Sequence, residues 1–342
     1  MPEQAGPLSA AEAMARAVSL ATRGPENGPN PRVGCVILSE RGDVLGEGWH
    51  RGAGTAHAEV EALRDAASAG ADVRGATAVV TLEPCSHTGR TGPCVDALTE
   101  AGIGAVRFAV ADPGGTSGGG AGVLLGRGIA AVHAPDAAAS ALTRRWHAAM
   151  RLGRPYVIAK WAATLDGRMA AADGTSFWIT GDEAREHAHQ VRGTVDAIAV
   201  GTGTVRADDP SLSARPGGHE SGHQPLRVVI GNSPTPGAQV WRDTNAVAVP
   251  AHRPEAVLEA LHAREVRTLL VEGGPTVLAA FFREGLVDEA HAYIAPALLG
   301  AGPTVVADLG IGTMEDALRG QSVTSRALGA DTLVTALFPR GV

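Results

Sequence analysis

The sequence predicts an α/β protein built as two domains, each a β-sheet covered by helices. Three observations lead there. At 342 residues the chain has about the length of two ordinary domains. Short apolar runs alternate with helix-period segments from end to end. A helix stop formed by Gly153 with Pro155 just beyond separates two such series, which divides the chain into residues 1–150 and 151–342.

In the first series, Ser9 followed by Glu12 is a capping-box pattern that opens a helix over Ala10–Thr22. The runs Val33–Leu38 and Val44–Trp49, joined by Ser-Glu-Arg-Gly-Asp, read as a hairpin. A helix over Ala58–Ala69, a strand over Ala76–Leu82, a helix starting near Pro93 and a strand over Val106–Val110 follow. Between Pro113 and Gly128 the composition turns to Gly and Ser, which predicts a flexible loop. The helix Asp136–Leu152 completes the series.

The second series opens with the strand Tyr156–Ala162, the helix Asp182–Arg192 and the strand Ala197–Gly201. Pro216–Pro225 is rich in Pro, Gly and His and predicts a surface loop. Then come the strand Arg227–Ile230, the helix Glu255–Ala263, the strand Thr268–Val271, the helix Pro275–Arg283 and the strand His291–Ala295. No internal repeat relates the two halves.

Composition narrows the function classes. With 29 Lys and Arg against 36 Asp and Glu, the net charge is −7. That argues against nucleic acid as a partner, since such binding needs a basic surface. No apolar run approaches the ~20 residues of a membrane span. The N-terminus lacks the basic start and apolar core of a secretory signal. A soluble, cytoplasmic protein acting on a small molecule is expected. Three cysteines are too few for a disulfide framework, so their spacing matters more than their number.

That spacing is informative. Thr-Ala-His57-Ala-Glu59 is followed by Leu-Glu83-Pro84-Cys85 and then by Pro93-Cys94. One imidazole and two thiolates make three zinc ligands and leave a fourth position for water. Hydrolysing an amidine also requires a proton carrier that is not a ligand, and Glu59 stands two residues from His57 at the start of a helix. This is the zinc-deaminase pattern of His-x-Glu followed by Pro-Cys and Cys. Cys35, inside the apolar run VGCVIL, reads as a core residue. His87 is a rival ligand, but it reads better as part of the pocket wall.

In the second half, Leu269-Leu-Val-Glu272-Gly-Gly-Pro-Thr276 runs from a strand through two glycines into a helix. Glycines admit a ligand close to the backbone, and a helix N-terminus offers free N–H groups and a positive dipole end. The segment predicts a phosphate cradle, distinct from the Rossmann fingerprint.

The strings Asn30-Pro-Arg-Val-Gly-Cys, His57-Ala-Glu-Val-Glu-Ala-Leu and Thr81-Leu-Glu-Pro-Cys-Ser-His-Thr-Gly-Arg-Thr-Gly-Pro-Cys resemble the bacterial bifunctional riboflavin-biosynthesis deaminase/reductase family. So do K-W-A-A-T-L-D-G, W-I-T-G-D-E-A-R, V-G-T-G-T-V-R-A-D-D-P-S-L-S-A-R and V-E-G-G-P-T in the second half. The resemblance implies a cytidine-deaminase-like three-layer α/β/α sandwich followed by a dihydrofolate-reductase-like α/β domain running to about Pro339. It implies zinc on His57, Cys85 and Cys94, proton transfer by Glu59 and pyrimidine binding by Asn30. NADPH contacts would fall on Ala162, Trp178, Thr204 and Asp208, and on Gly274, Pro275, Thr276, Val277, Leu278, Ala279 and Ala280. Substrate contacts would fall on Ser176, Arg192, Leu212, Arg215 and Glu272. Arg192 and Arg215 suit a ribose 5-phosphate, because a guanidinium fork matches phosphate oxygens.

The implied activity is deamination of a 2,5-diamino-6-(5-phosphoribosylamino)pyrimidinone, then reduction of its ribosyl chain. A homo-oligomer is also implied, since such reductase domains often pair through edge strands. The sequence departs from the family in two places. Asp112-Pro113 is followed by a glycine-rich stretch with no Asn, and Gly231-Asn232 replaces the usual Asp-Ser. The first departure keeps open a reductase with an impaired or redirected deaminase, and a zinc-stapled scaffold without catalysis is the remaining alternative.

Overall fold

Ser9 begins the first helix as the capping box predicts. Its hydroxyl accepts from the Glu12 N–H at 3.3 Å, and its own N–H donates to Glu12 Oε2 at 2.8 Å. The helix that follows is α1 (Ala10–Ala21). The structure, a computed structural model, describes residues 6–88, 92–115, 117–251 and 253–338. Gly89, Arg90 and Thr91 of the spacer between the two candidate cysteine ligands lie outside the described residues, as does Pro339. The chain divides into two units, Met1–Leu152 and Gly153–Val342.

The first unit continues through β1 (Gly34–Leu38), β2 (Val44–Trp49), α2 (Ala58–Ser68), β3 (Thr77–Leu82), α3 (Cys94–Glu100) and β4 (Ala105–Val110). It closes with α4 (Gly120–Gly126), β5 (Ala130–His133) and α5 (Ala137–Leu152). The sheet order is β2-β1-β3-β4-β5. β1 is antiparallel to β2 and β3, while β3, β4 and β5 run parallel. Successive residues of a strand face opposite sides, so β1 feeds two cores. Cys35 and Ile37 pack with Ala58, Ala62, Leu98 and Leu124, whereas Val36 and Leu38 pack with Ala13, Ala17 and Leu20. The sheet is thus the middle layer of a three-layer sandwich. Gly48 on β2 lets α2 approach closely, since a Cβ there would lie 2.4 Å from both Ala58 O and Ala62 N. That contact fixes the start of α2, where His57 and Glu59 stand.

The second unit contains β6 (Tyr156–Thr164), α6 (Asp182–Gly193), β7 (Ala197–Gly201), α7 (Thr202–Asp208), β8 (Leu226–Ile230) and β9 (Ala246–Val249). After these come α8 (Pro254–His262), β10 (Thr268–Val271), α9 (Pro275–Arg283), β11 (Glu289–Ala295), β12 (Gln321–Leu328) and β13 (Asp331–Leu337). Eight strands form one sheet in the order β12-β13-β11-β6-β10-β7-β8-β9. The strands from β11 to β9 in that order are parallel, and β13 and β12 complete the edge antiparallel. Val157, Ala159, Leu269, Val271, Leu278 and Phe281 are among the residues of its main core.

Several expectations need correction. The glycine-rich stretch is not a free loop: α4 forms inside it, and its earlier part is pinned by hydrogen bonds described below. β5, α7, β9, β12 and β13 are additional elements, and β6 runs two residues further than expected, to Thr164. The Pro216–Pro225 segment includes a short 3-10 turn at Pro216–Gly218.

Candidate active sites

In the first unit, β3 delivers Cys85 just past its end, α3 begins with Cys94, and α2 begins directly after His57. The three side chains converge. His57 Nδ1 lies 3.2 Å from Cys94 Sγ and 3.5 Å from Cys85 Sγ. All three ligand atoms fall within 4.8 Å of one another. A tetrahedral zinc spaces a nitrogen and a sulfur ligand roughly 3.6 Å apart, so the donor set fits the ion in chemistry and spacing. His87 is not in the cluster, and among the described residues the group has no fourth protein ligand. Cys35 is buried in β1, as its apolar setting predicts.

Glu59 stands beside the cluster and is 3% exposed. Burial pushes its carboxyl pKa up, with the nearby His57 charge acting against that rise. Such a carboxyl is suited to hold a proton part of the time. The Cys85 thiol is drawn down to about 4, chiefly by its hydrogen bond with Cys94 and with help from His57, against the opposing effect of burial. The Cys94 backbone N–H also donates to Cys85 Sγ at 3.4 Å.

Asn30 reaches this centre through His50. Its Nδ2 lies 2.9 Å from His50 Nε2, and His50 Nδ1 lies 3.0 Å from Ala56 O. The His50 and His57 rings meet edge to face at 5.3 Å. No sequence motif marks His50, although it stands only seven residues before His57.

In the second unit two cavities lie outside the carboxyl ends of the parallel strands, where open α/β sheets bind ligands. The first, of about 560 Å³, is lined by Ala162, Ser176, Trp178, Arg192, Asp208, Leu212, Arg215, Glu272 and Leu278 among others. The second, of about 620 Å³, is lined by Thr204, Asp208, Gly274, Pro275, Thr276, Val277 and Ala280 among others. Met169, Ser176 and Asp208 border both, so the two form one cleft. Ala279 is the exception among the expected contacts: it lines neither cavity and is fully buried.

The second cavity fits a dinucleotide. Gly201, Gly203 and Gly274 leave its wall open, with Thr202, Thr204 and Thr276 as polar neighbours. A Cβ on Gly273 would come within 2.7 Å of Val277, so glycine is what lets α9 start this close to β10. Gly231 and Asn232 also line it, at the site of the second sequence departure.

Glu272, the first residue after β10, is the electrostatic centre of the other cavity. Arg192 Nε and Nη2 donate to its two oxygens at 2.7 and 2.8 Å, and Lys160 Nζ donates to Oε2 at 3.4 Å. Burial would raise the pKa of Glu272, but Arg192 and Lys160 reverse this and hold it well below the usual carboxylate range. Arg192 Nη1 donates to Ser213 O at 3.2 Å. The expected phosphate fork of Arg192 is therefore occupied by Glu272. Arg215 keeps more of its donors, with Nη1 on Ser211 Oγ at 3.3 Å.

Comparison with known proteins agrees over nearly the whole chain. Residues 155–334 match the RibD C-terminal domain, and residues 8–110 match the cytidine and deoxycytidylate deaminase zinc-binding region. The riboflavin biosynthesis protein RibD of Mycobacterium tuberculosis is 46% identical over 313 residues, covering 90% of this chain and 91% of the relative. RibD of Escherichia coli is 39% identical over 328 residues, covering 84% and 88%. The structure of Acinetobacter baumannii RibD superposes with a TM-score of 0.86 at 34% identity, covering 97% of this chain and 99% of the other. That of the Thermotoga maritima diaminohydroxyphosphoribosylaminopyrimidine deaminase/5-amino-6-(5-phosphoribosylamino)uracil reductase gives 0.85 at 30% identity, covering 96% and 99%. Nothing here favours an impaired deaminase or a scaffold. With a deaminase zinc region ahead of a reductase domain, the chain belongs to the RibD family of bifunctional deaminase/reductases of riboflavin biosynthesis.

Proposed function

We propose that residues 1–150 remove the 2-amino group of 2,5-diamino-6-(5-phosphoribosylamino)pyrimidin-4(3H)-one, and that residues 151–342 reduce the ribosyl chain of the product to ribityl. The observation that carries this reading is the convergence of His57, Cys85 and Cys94 with the buried carboxyl of Glu59 beside them. His57, Cys85 and Cys94 would hold zinc, which supplies the Lewis acidity that activates water, and the second cavity of the cleft would hold NADPH, which supplies the hydride. Glu59 takes a proton from the attacking water onto its carboxylate and passes it to the departing nitrogen, which leaves as ammonia. Asn30, oriented by His50, contacts the pyrimidine.

In the reductase, Ala162, Trp178, Thr204, Asp208, Gly274, Pro275, Thr276, Val277, Leu278 and Ala280 would bind the cofactor, whereas the buried Ala279 would not reach it. Ser176, Leu212, Arg215 and Glu272 would bind the substrate, with Arg192 fixing Glu272. Asp208 borders both cavities, so hydride donor and acceptor can meet at that shared boundary.

We further propose a cytoplasmic homo-oligomer that binds neither nucleic acid nor membrane. A net charge of −7 speaks against nucleic acid as a partner, and among the described residues no helix is long and apolar enough to cross a membrane. The outermost strand β12, exposed along almost its whole length, offers an edge for pairing between copies.

An ordered assay on the zinc-loaded chain tests the activity. Ammonia should be released from the diaminopyrimidine phosphate without NADPH. NADPH should be oxidised only once the deaminated product is present. Loss of both reactions in correctly folded, zinc-loaded protein would overturn the reading.

A further inference from the structure

Glu83 is the first residue after β3 and stands two positions before Cys85. It is buried, and it is too short of the metal cluster to be one of its three ligands. Its two oxygens go elsewhere. Oε2 accepts from the Asp112 N–H at 3.0 Å, and Oε1 accepts from the Ala121 N–H at 2.9 Å. Asp112 follows β4 and Ala121 stands in the first turn of α4, so one carboxylate ties the two ends of the connection between them together.

Neighbouring contacts act in the same sense. The Ser86 N–H donates to Ser117 O at 3.1 Å, and Ser86 Oγ donates to Gly118 O at 2.9 Å. Gly120 passes so close to this strand end that a Cβ on it would lie 1.8 Å from Pro84 O. Inside the connection, Asp112 Oδ1 accepts from the Gly114 N–H at 2.8 Å and from Ser117 Oγ at 2.9 Å. The stretch is poor in side chains of its own that could hold a shape, and backbone freedom at its glycines is costly to freeze. Residues on either side of Cys85 supply the missing order.

We propose that Glu83, assisted by Ser86, is a positioning residue of the deaminase: a carboxylate clamp that holds the glycine-rich segment against the strand end carrying Cys85, and that substrate binding beside Cys85 depends on the segment being held there. A carboxylate that accepts two backbone N–H groups forms strong, directional bonds. The clamp acts on how well the pyrimidine is bound, while the ligands and Glu59 act on the chemistry. Its loss should therefore appear in KM rather than in kcat.

Glu83→Gln in the full, zinc-loaded chain provides the test, because the amide keeps the shape yet can accept with only one of its two ends. Three readouts are needed: hydrogen exchange across 112–121, zinc content, and the KM and kcat of ammonia release. The expected result is faster exchange in that segment, unchanged zinc, a KM raised about tenfold and kcat within about twofold. NADPH-dependent reduction of the deaminated substrate should be unchanged and serves as the folding control. Unaltered exchange, loss of zinc together with activity, a loosened segment with unchanged KM, or a loss confined to kcat would each overturn the proposal. Should Glu83→Gln fail to fold, Ser86→Ala removes a single hydrogen bond, and a smaller rise in KM with faster exchange is required of it. The proposal rests on the deaminase reading above, and the two fail differently. An unmodified chain that releases no ammonia defeats that reading, whereas an active chain indifferent to both substitutions defeats only the clamp.

Discussion

Arg192 directs two of its donors, Nε and Nη2, at the two oxygens of Glu272, at 2.7 and 2.8 Å. The residues are 80 positions apart, and both are largely buried, with side-chain exposures of 16% and 9%. Removing Arg192 leaves Glu272 with only the longer contact to Lys160, at 3.4 Å, in a poorly solvated place. Arg192→Met should therefore destabilise the reductase unit by about 3 kcal/mol or more, whereas Arg192→Met combined with Glu272→Gln should cost much less than the two single changes added together. Denaturant unfolding of the four proteins measures the coupling. Additive losses would mean that the pair contributes little.

The same pair sets a pH signature. The folded pKa of Glu272 is depressed, so its stabilising contribution is complete above the unfolded value of about 4.3 and is lost as pH falls through the folded value. The stability difference between the unmodified chain and Glu272→Gln should stay constant from neutral pH down to about pH 5 and shrink only in stronger acid. Thermal unfolding of both proteins between about pH 7 and pH 3 follows it. A difference that fades between about pH 7 and pH 5 would contradict the assigned direction.

Glu59 offers a test that separates metal binding from the proposed proton transfer. It is not one of the three clustered ligands, so Glu59→Gln should keep the metal and the reductase activity. Ammonia release should fall by about a hundred- to ten-thousand-fold. Treatment with a chelator should abolish the same reaction by the other route and leave reduction of the deaminated substrate intact. Metal analysis alongside the two assays distinguishes the cases, and zinc loss in Glu59→Gln would reassign the residue.

What the sequence made legible follows from how local each signal is. The Ser9–Glu12 box, the β1–β2 hairpin and the stop at Gly153 are written in neighbouring residues. The cluster of His57, Cys85 and Cys94 is legible because a strand end and two helix starts carry these residues in recognisable strings. α7, with the sequence TGTVRAD, was missed because two threonines and a glycine weaken helix propensity and the element is short. β12 was missed because its residues are exposed on both faces and so lack alternation. The glycine-rich stretch reads as a linker by composition, and the Glu83 bonds that order it come from residues 29 and 38 positions away. The Arg192–Glu272 pair is illegible for the same reason: its partners stand 80 positions apart.

Gly48 offers a test of how the scaffold aims the deaminase site. A Cβ at this position would lie 2.4 Å from Ala58 O and Ala62 N, and 2.8 Å from the Glu61 carbonyl carbon. These are backbone atoms of α2, so the clash is relieved only by moving α2 and the edge strand β2 apart. Gly48→Ala should cost about 1–3 kcal/mol of stability. It should also reduce ammonia release, since His57 and Glu59 stand at the start of the displaced helix. Thermal unfolding and the deaminase assay report the two effects. A fully active Gly48→Ala would show that α2 can shift without moving its first turn.

Arg215 is the guanidinium to test for the substrate phosphate, because Arg192 is engaged by Glu272 and Ser213 and Arg185 by Thr180 and Asp182. It lines the cavity that also holds Ser176, Leu212 and Glu272, and one of its groups reaches Ser211 Oγ at 3.3 Å. A charge-assisted bond to phosphate contributes about 1.5–3 kcal/mol, which corresponds to roughly a ten- to hundredfold change in binding. Arg215→Met should raise the KM of the phosphorylated substrate in the reductase by that factor and leave NADPH affinity unchanged. A dephosphorylated substrate should be handled equally by the variant and the unmodified chain, because the interaction removed is the one with phosphate. If Arg215→Met impairs both substrates alike, Arg215 acts on the ribosyl chain or on the fold rather than on the phosphate.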